Sequence, residues 1–250
     1  MPNLKQLTLP IFAMLLLAAC SGKTPYTNRS QMIFVSSSEE MALGEKSYKE
    51  ALSEAKVVHN TKDTQRVKNI GQKIAQVAAR PDFKWEFNLV EDNQANAFCL
   101  PGGKVVVYTG ILKYAKNDDQ LATVISHEIA HALARHGAER MSQGMIQQGV
   151  GMVGNVVLGA TAPQYQNAFN QVYGLGSNLG VMLPYGRMQE SEADEIGIHL
   201  MYKAGYNINE AVNFWQNMSE GKSGNSDFFS THPSSNTRVK DIQKVIAKIK

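Results

Sequence analysis

Apolar and polar residues alternate along this chain with two periods, and the period changes with position. Over Thr61–Ala79, Val67, Ile70, Ile74 and Val77 recur every three or four residues, which predicts a helix with one buried face. Ser36-Ser37-Ser38-Glu39-Glu40 has the form of a capping box, so an earlier helix is expected from there to about Val58. After Pro81-Asp82 the period falls to two. Phe83, Trp85, Phe87 and Leu89 alternate with polar residues, the pattern of a half-buried strand. Ala97–Leu100 and Lys104–Thr109 read as two more strands around a Pro101-Gly102-Gly103 turn, completing a small antiparallel sheet.

Helical periodicity then returns. Asn117-Asp118 caps a helix expected over Asp118–His136, with Gly137 as its break. Residues 138–185 are rich in Gly, Gln, Asn and Met and predict only weak helices and loops. Arg187–Ala204 is a helix closed by Gly205, and Asn207 with Glu210 opens another to about Ser219. Val239, Ile242, Ile246 and Ile249 lie on one face of a last helix after Pro233.

Composition narrows the class. The formal charge is +3, and no Lys/Arg run stands out, so nothing points to nucleic acid. Two cysteines among 250 residues exclude a disulfide framework. Cys99 lies in an apolar stretch and is expected as a buried, inert thiol. The first residues read as a leader. A short basic start, an apolar run from Leu7 to Ala19 and the small residues before Cys20 match a lipoprotein signal peptide over 1–19. Cys20 would carry lipid, residues 20–35 would form a tether, and 36–250 one domain. The expected location is the cell envelope, lipid-anchored at the outer membrane and facing the periplasm.

The candidate chemistry is in the helix beginning at Asp118. Residues 127–131 read His-Glu-Ile-Ala-His. Side chains four apart share a helix face, so His127 and His131 can each give an imidazole nitrogen to one Zn²⁺. Glu128 can then act on water as a general base. The surrounding Leu121, Val124, Ile125, Ile129 and Leu133 bury this helix, and buried imidazoles and a carboxylate need partners. A catalytic zinc needs a third protein ligand. His136 follows His131 by five residues and falls off the ligand face, one residue short of the metzincin spacing, so it reads as structural or surface. Glu190 and Asp194, four apart on the Arg187–Ala204 helix, suit a site in which one carboxylate binds metal and another orients a histidine. Glu192 points elsewhere and is expected to be solvated or paired with a cation. On composition alone, an acidic solvated face fits these residues about as well.

Four motifs in order make the chain resemble the HtpX-like zinc metalloproteases, whose members include the CAAX prenyl proteases, and within them the periplasmic LoiP/BepA-like lipoprotein branch. They are Asn96–Gly103 running into Val105–Gly110, His127–His131, Arg187–Asp194, and Thr231-His232-Pro233 with Arg238 after it. The resemblance implies an α+β fold, a mostly helical gluzincin-type zincin domain with a small antiparallel sheet beside the active-site helix. It implies one Zn²⁺ per subunit on His127, His131 and Glu190. It makes Glu128 catalytic and Asp194 essential, and it places His232 near the metal, either stabilising the reaction intermediate or blocking the site. It also implies that substrate adds as a strand along Asn96, Ala97 and Phe98 and along Val105 and Val107. The implied function is an endopeptidase cleaving unfolded or misassembled envelope proteins. The alternative is a chaperone-like factor that works with the outer-membrane assembly machinery and has a mostly latent zinc site. Unlike the prenyl proteases, this sequence has no long apolar spans after residue 20.

Overall fold

The computed structural model describes residues 21–147, 169, 172–173, 186–220, 228–229, 232 and 237–249. The leader 1–19 and the lipidation position Cys20 lie outside these, as does most of 148–185. Among the described residues no helix is long and apolar enough to cross a membrane.

The chain opens with a hairpin, β1 (Ser21–Lys23) and β2 (Ser30–Met32), antiparallel with Ser21 opposite Met32. The stretch read as a tether is therefore folded, and Thr24, Gln31, Ile33 and Val35 are buried. Helix α1 (Ser37–Glu54) starts at the expected capping box, with Ser36 and Glu39 serving each other's backbone. It stops short of Val58, because Val57–Val58 forms a short strand, β3, against the sheet. Helix α2 (Lys62–Val77) is capped by Thr61 and buries the anticipated Val67, Ile70 and Ile74.

Strand β4 (Glu86–Val90) begins later than its alternation suggests. Strands β5 (Ala97–Leu100) and β6 (Lys104–Tyr108) lie where expected. The sheet order is β3-β4-β6-β5. Two of its pairings are antiparallel; the central one, β4 with β6, is parallel. The run Val105-Val106-Val107 explains that centre. Val105 and Val107 face one core and Val106 the other, so β6 is apolar on both faces. On one side α1 covers the sheet through Leu43 and Tyr48; on the other lies α3 (Asp118–Leu133). Cys99 is buried among these strands, and burial pushes its thiol well above the usual range, as an inert cysteine requires.

Helix α3 is capped by Asn117 and is buried along nearly its whole length. It ends at Ala134 rather than Gly137. Arg135 takes φ +55°, and its guanidinium donates to Glu40 and to the Val35 carbonyl, both at 2.7 Å, so side-chain contacts hold a turn usually left to glycine. Gly137 instead sits inside α4 (His136–Gln147), where a Cβ would lie 1.8 Å from the Tyr173 hydroxyl. Helix α5 (Arg187–Lys203) packs most extensively on α3 and closes at Gly205, φ +78°. Helices α6 (Glu210–Glu220) and α7 (Arg238–Ile249) complete the layer behind α3. The expected architecture is present: mostly helical, with a small sheet beside the central helix.

Candidate metal centre

Helix α3 points His127 and His131 the same way, and their Nε2 atoms lie 3.1 Å apart. Glu190, from the first turn of α5, places Oε2 3.4 Å from His127 Nε2 and Oε1 3.4 Å from His131 Nε2. Metal–ligand bonds of 2.0–2.1 Å in a tetrahedron put ligand atoms about 3.3 Å apart. The three separations fit that edge length, and all three residues are at least 97% buried. His232 adds a fourth candidate ligand, and a third nitrogen. Its Nδ1 is 3.4 Å from His127 Nε2 and 3.1 Å from Glu190 Oε1. The four ligand atoms lie within 4.8 Å of one another, so these residues could hold a metal ion.

The electrostatics suit a cation. Burial opposes ionisation of Glu190, yet the His232 charge and hydrogen bonds from His127 and His131 hold its carboxyl well below the usual range. Burial keeps His131 neutral, leaving a ring nitrogen free to donate its lone pair. Glu128 is the exception. It is 2% exposed, its Oε1 makes no hydrogen bond, and His232 Nε2 lies 3.5 Å from that oxygen. Burial pushes its carboxyl up to about 8. A buried carboxylate oxygen with no donor is costly unless something else meets it there.

A second layer fixes the ligands. Asp194 Oδ1 is 2.9 Å from His127 Nδ1, a contact that would turn Nε2 toward a bound metal. This is the orienting place expected for the second carboxylate of the α5 pair. His136 is buried and not on the surface. Its Nδ1 lies 2.8 Å from His131 Nδ1, and its Nε2 lies 3.0 Å from Glu192. Glu192 is paired with a cation, Arg29, at 2.7 Å rather than solvated. Burial opposes its ionisation, but hydrogen bonds from His136, Thr24, Thr27 and Arg29 win and hold it at about 2.

Sequence reasoning gave Arg238 no role of its own. Its guanidinium spans Asp194 at 2.8 Å and Glu190 at 3.3 Å, and it stacks 3.3 Å from the Trp215 ring centre. The signals were its place after Thr231-His232-Pro233 and a cation opening an otherwise amphipathic helix. Trp215 in turn meets the His127 ring edge-on at 5.9 Å.

The substrate-strand expectation needs one correction. Val105 and Val107 lie on β6, paired on both sides with side chains in the core, so they offer no free edge. Central placement follows from the two-faced valine run. The outer strand beside β6 is β5, which among the described residues pairs with β6 alone. The Ala97 and Phe98 side chains are buried, and the Asn96 amide accepts from the Ala97 N–H, so any recognition there goes through backbone.

Residues 61–246 match peptidase family M48. The mitochondrial metalloendopeptidase OMA1 of Schizosaccharomyces pombe is 36% identical over 88% of this chain and 65% of its own length. Its Saccharomyces cerevisiae counterpart is 34% identical over 90% of this chain and 69% of its own length. The beta-barrel assembly-enhancing protease of Yersinia pestis is 29% identical, over 81% of this chain and 43% of its own. These matches overturn the expected outer-membrane location, because relatives aligned over nearly the whole chain are named as mitochondrial. A short apolar leader is a weak pattern beside an alignment that covers the domain. With the match spanning all three ligand positions and the first turn of the helix that carries Arg238, the chain belongs to peptidase family M48 and is by class a metalloprotease.

Proposed function

We propose that this chain is a zinc-dependent endopeptidase acting on unfolded or misassembled proteins. The convergence of His127, His131 and Glu190 at tetrahedral spacing, beside a buried Glu128 oxygen with no donor, carries this reading. Nitrogen-rich tetrahedral sites with one carboxylate favour zinc, which as a Lewis acid polarises a carbonyl and lowers the pKa of water. His127, His131 and Glu190 would hold it. Glu128 takes the proton of the attacking water and passes it to the leaving amine. Asp194 keeps the His127 ring in register, and His232 faces the charge that develops on the carbonyl oxygen. An extended, unfolded chain is the substrate form that can pair along β5.

One observation favours a second reading. His232 Nδ1 lies 3.4 Å from His127 Nε2 and 3.1 Å from Glu190 Oε1, so it could serve as a fourth ligand where a catalytic site would need room for water. With His232 there the site is latent, and the protein binds exposed strands without cutting them. That role is compatible with the relative named for β-barrel assembly. The Glu128→Gln variant separates the two readings. It is expected to retain zinc and to lose at least ~10²-fold in casein cleavage. Cleavage at the wild-type rate would sink the mechanism. Full rescue of a deletion strain by Glu128→Gln would make binding the main activity.

A further inference from the structure

His127 and His131 are oriented by different means. His127 gives its Nδ1 side to Asp194 directly. His131 gives its Nδ1 side to another imidazole, His136, at 2.8 Å. That contact dictates a proton arrangement. If His131 uses Nε2 toward the metal, its hydrogen is on Nδ1. His136 Nδ1 must then accept, so the His136 hydrogen is on Nε2. That nitrogen points at the Glu192 carboxylate, 3.0 Å away, which accepts. Each donor meets an acceptor, and reversing any tautomer puts two hydrogens or two lone pairs face to face.

The chain ends on the N-terminal hairpin. Arg29 Nε donates to the same Glu192 oxygen at 2.7 Å, while its two terminal nitrogens form a bidentate pair with Glu139 at 2.6 and 2.8 Å. Thr24 donates to the other Glu192 oxygen at 2.7 Å, and Thr27 bonds it as well. Arg29 thus clamps Glu192 of α5 to Glu139 of α4. The hairpin tip is held separately. Tyr26 stacks on His199, with ring centres 5.0 Å apart, and its hydroxyl accepts from Lys203 at 3.0 Å.

From this geometry, and resting on the metal reading proposed above, we infer that Arg29, Glu192 and His136 are positioning residues of the metal centre. They fix the tautomer and ring orientation of His131 through a hydrogen-bonded chain anchored on the hairpin. Arg29 lies outside residues 61–246, so the metal centre extends into a segment beyond the family match.

Zinc affinity of the purified full chain, measured by competition with a chromogenic chelator, tests this, with the melting temperature of each zinc-free variant recorded alongside. Wild type is expected to bind one zinc and His127→Ala none. His136→Ala and Glu192→Gln should bind roughly 10- to 100-fold more weakly, the usual range for groups that orient a ligand histidine. Arg29→Ala should lose several-fold. His136→Gln, whose amide can accept from His131 and donate to Glu192, should recover part of the loss. Tyr26→Ala loosens the hairpin at its tip and should leave zinc affinity unchanged. Wild-type affinity in His136→Ala and Arg29→Ala overturns the inference while the metal reading stands. So does an affinity loss that simply tracks melting temperature across all variants, Tyr26→Ala included. Absence of zinc binding by wild type overturns both.

Discussion

Removing Arg238 should destabilise the metal-free protein far more than the zinc-loaded one. The side chain is 5% exposed and is the cation lying between the Asp194 and Glu190 carboxylates, at 2.8 and 3.3 Å. Arg238→Met keeps much of the bulk against Trp215 but leaves two buried carboxylates facing each other. Deleting one partner of a buried ion pair costs about 3–5 kcal/mol. For a domain of this size each kcal/mol moves the melting temperature by about 2–4 °C. The metal-free variant should therefore melt roughly 6–20 °C lower. Zinc held by His127, His131 and Glu190 returns positive charge to Glu190, so the loaded variant should lose no more than about half as much. Thermal unfolding followed by circular dichroism, with excess chelator or with saturating zinc, measures both. A metal-free loss under about 1 kcal/mol, or equal losses in the two conditions, would refute the argument that Arg238 neutralises these carboxylates.

Two further predictions concern stability. Glu192 is held at about 2 in the folded chain, against roughly 4.3 when unfolded, so its contribution is fully present above pH ~4.3 and is lost as pH falls toward 2. The stability gap between wild type and Glu192→Gln in chelator should narrow by on the order of 2 kcal/mol across that window, after allowance for water at its outer edge; a gap constant with pH would contradict the assignment. Glycine substitutions should divide by space. A Cβ at Gly71 would lie 2.2 Å from the Phe87 ring, so Gly71→Ala should cost about 1–3 kcal/mol by urea unfolding, whereas Gly144→Ala, with nothing within 4 Å, should be neutral or stabilising by up to ~1 kcal/mol.

Local chemistry was readable in the residues themselves. The 127–131 string fixes two imidazoles one turn apart wherever a helix forms, and Asn117 and the apolar residues around it guarantee that helix. Capping residues set the starts of α1 and α2, and Gly205 sets the end of α5. Glu190 was legible as a ligand only because its motif follows the first in a recognised order; alone, three acids on a helix are consistent with a solvated face.

What tertiary packing decided depends on partners distant in sequence. Arg135 could turn left-handed only because Glu40 and the Val35 carbonyl meet its guanidinium, so the helix ended before its glycine. The parallel β4–β6 pairing followed from cores on both faces of β6, which moved Val105 and Val107 from the edge to the centre. Arg238 and Arg29 look in the sequence like ordinary surface cations. Their roles arise because folding leaves buried carboxylates that water cannot reach, and a buried charge must find an opposite charge within the protein. The sequence by itself determined which side chains could bind a metal. The fold decided which of them converge, which groups hold them, and that the N-terminal hairpin is among those groups.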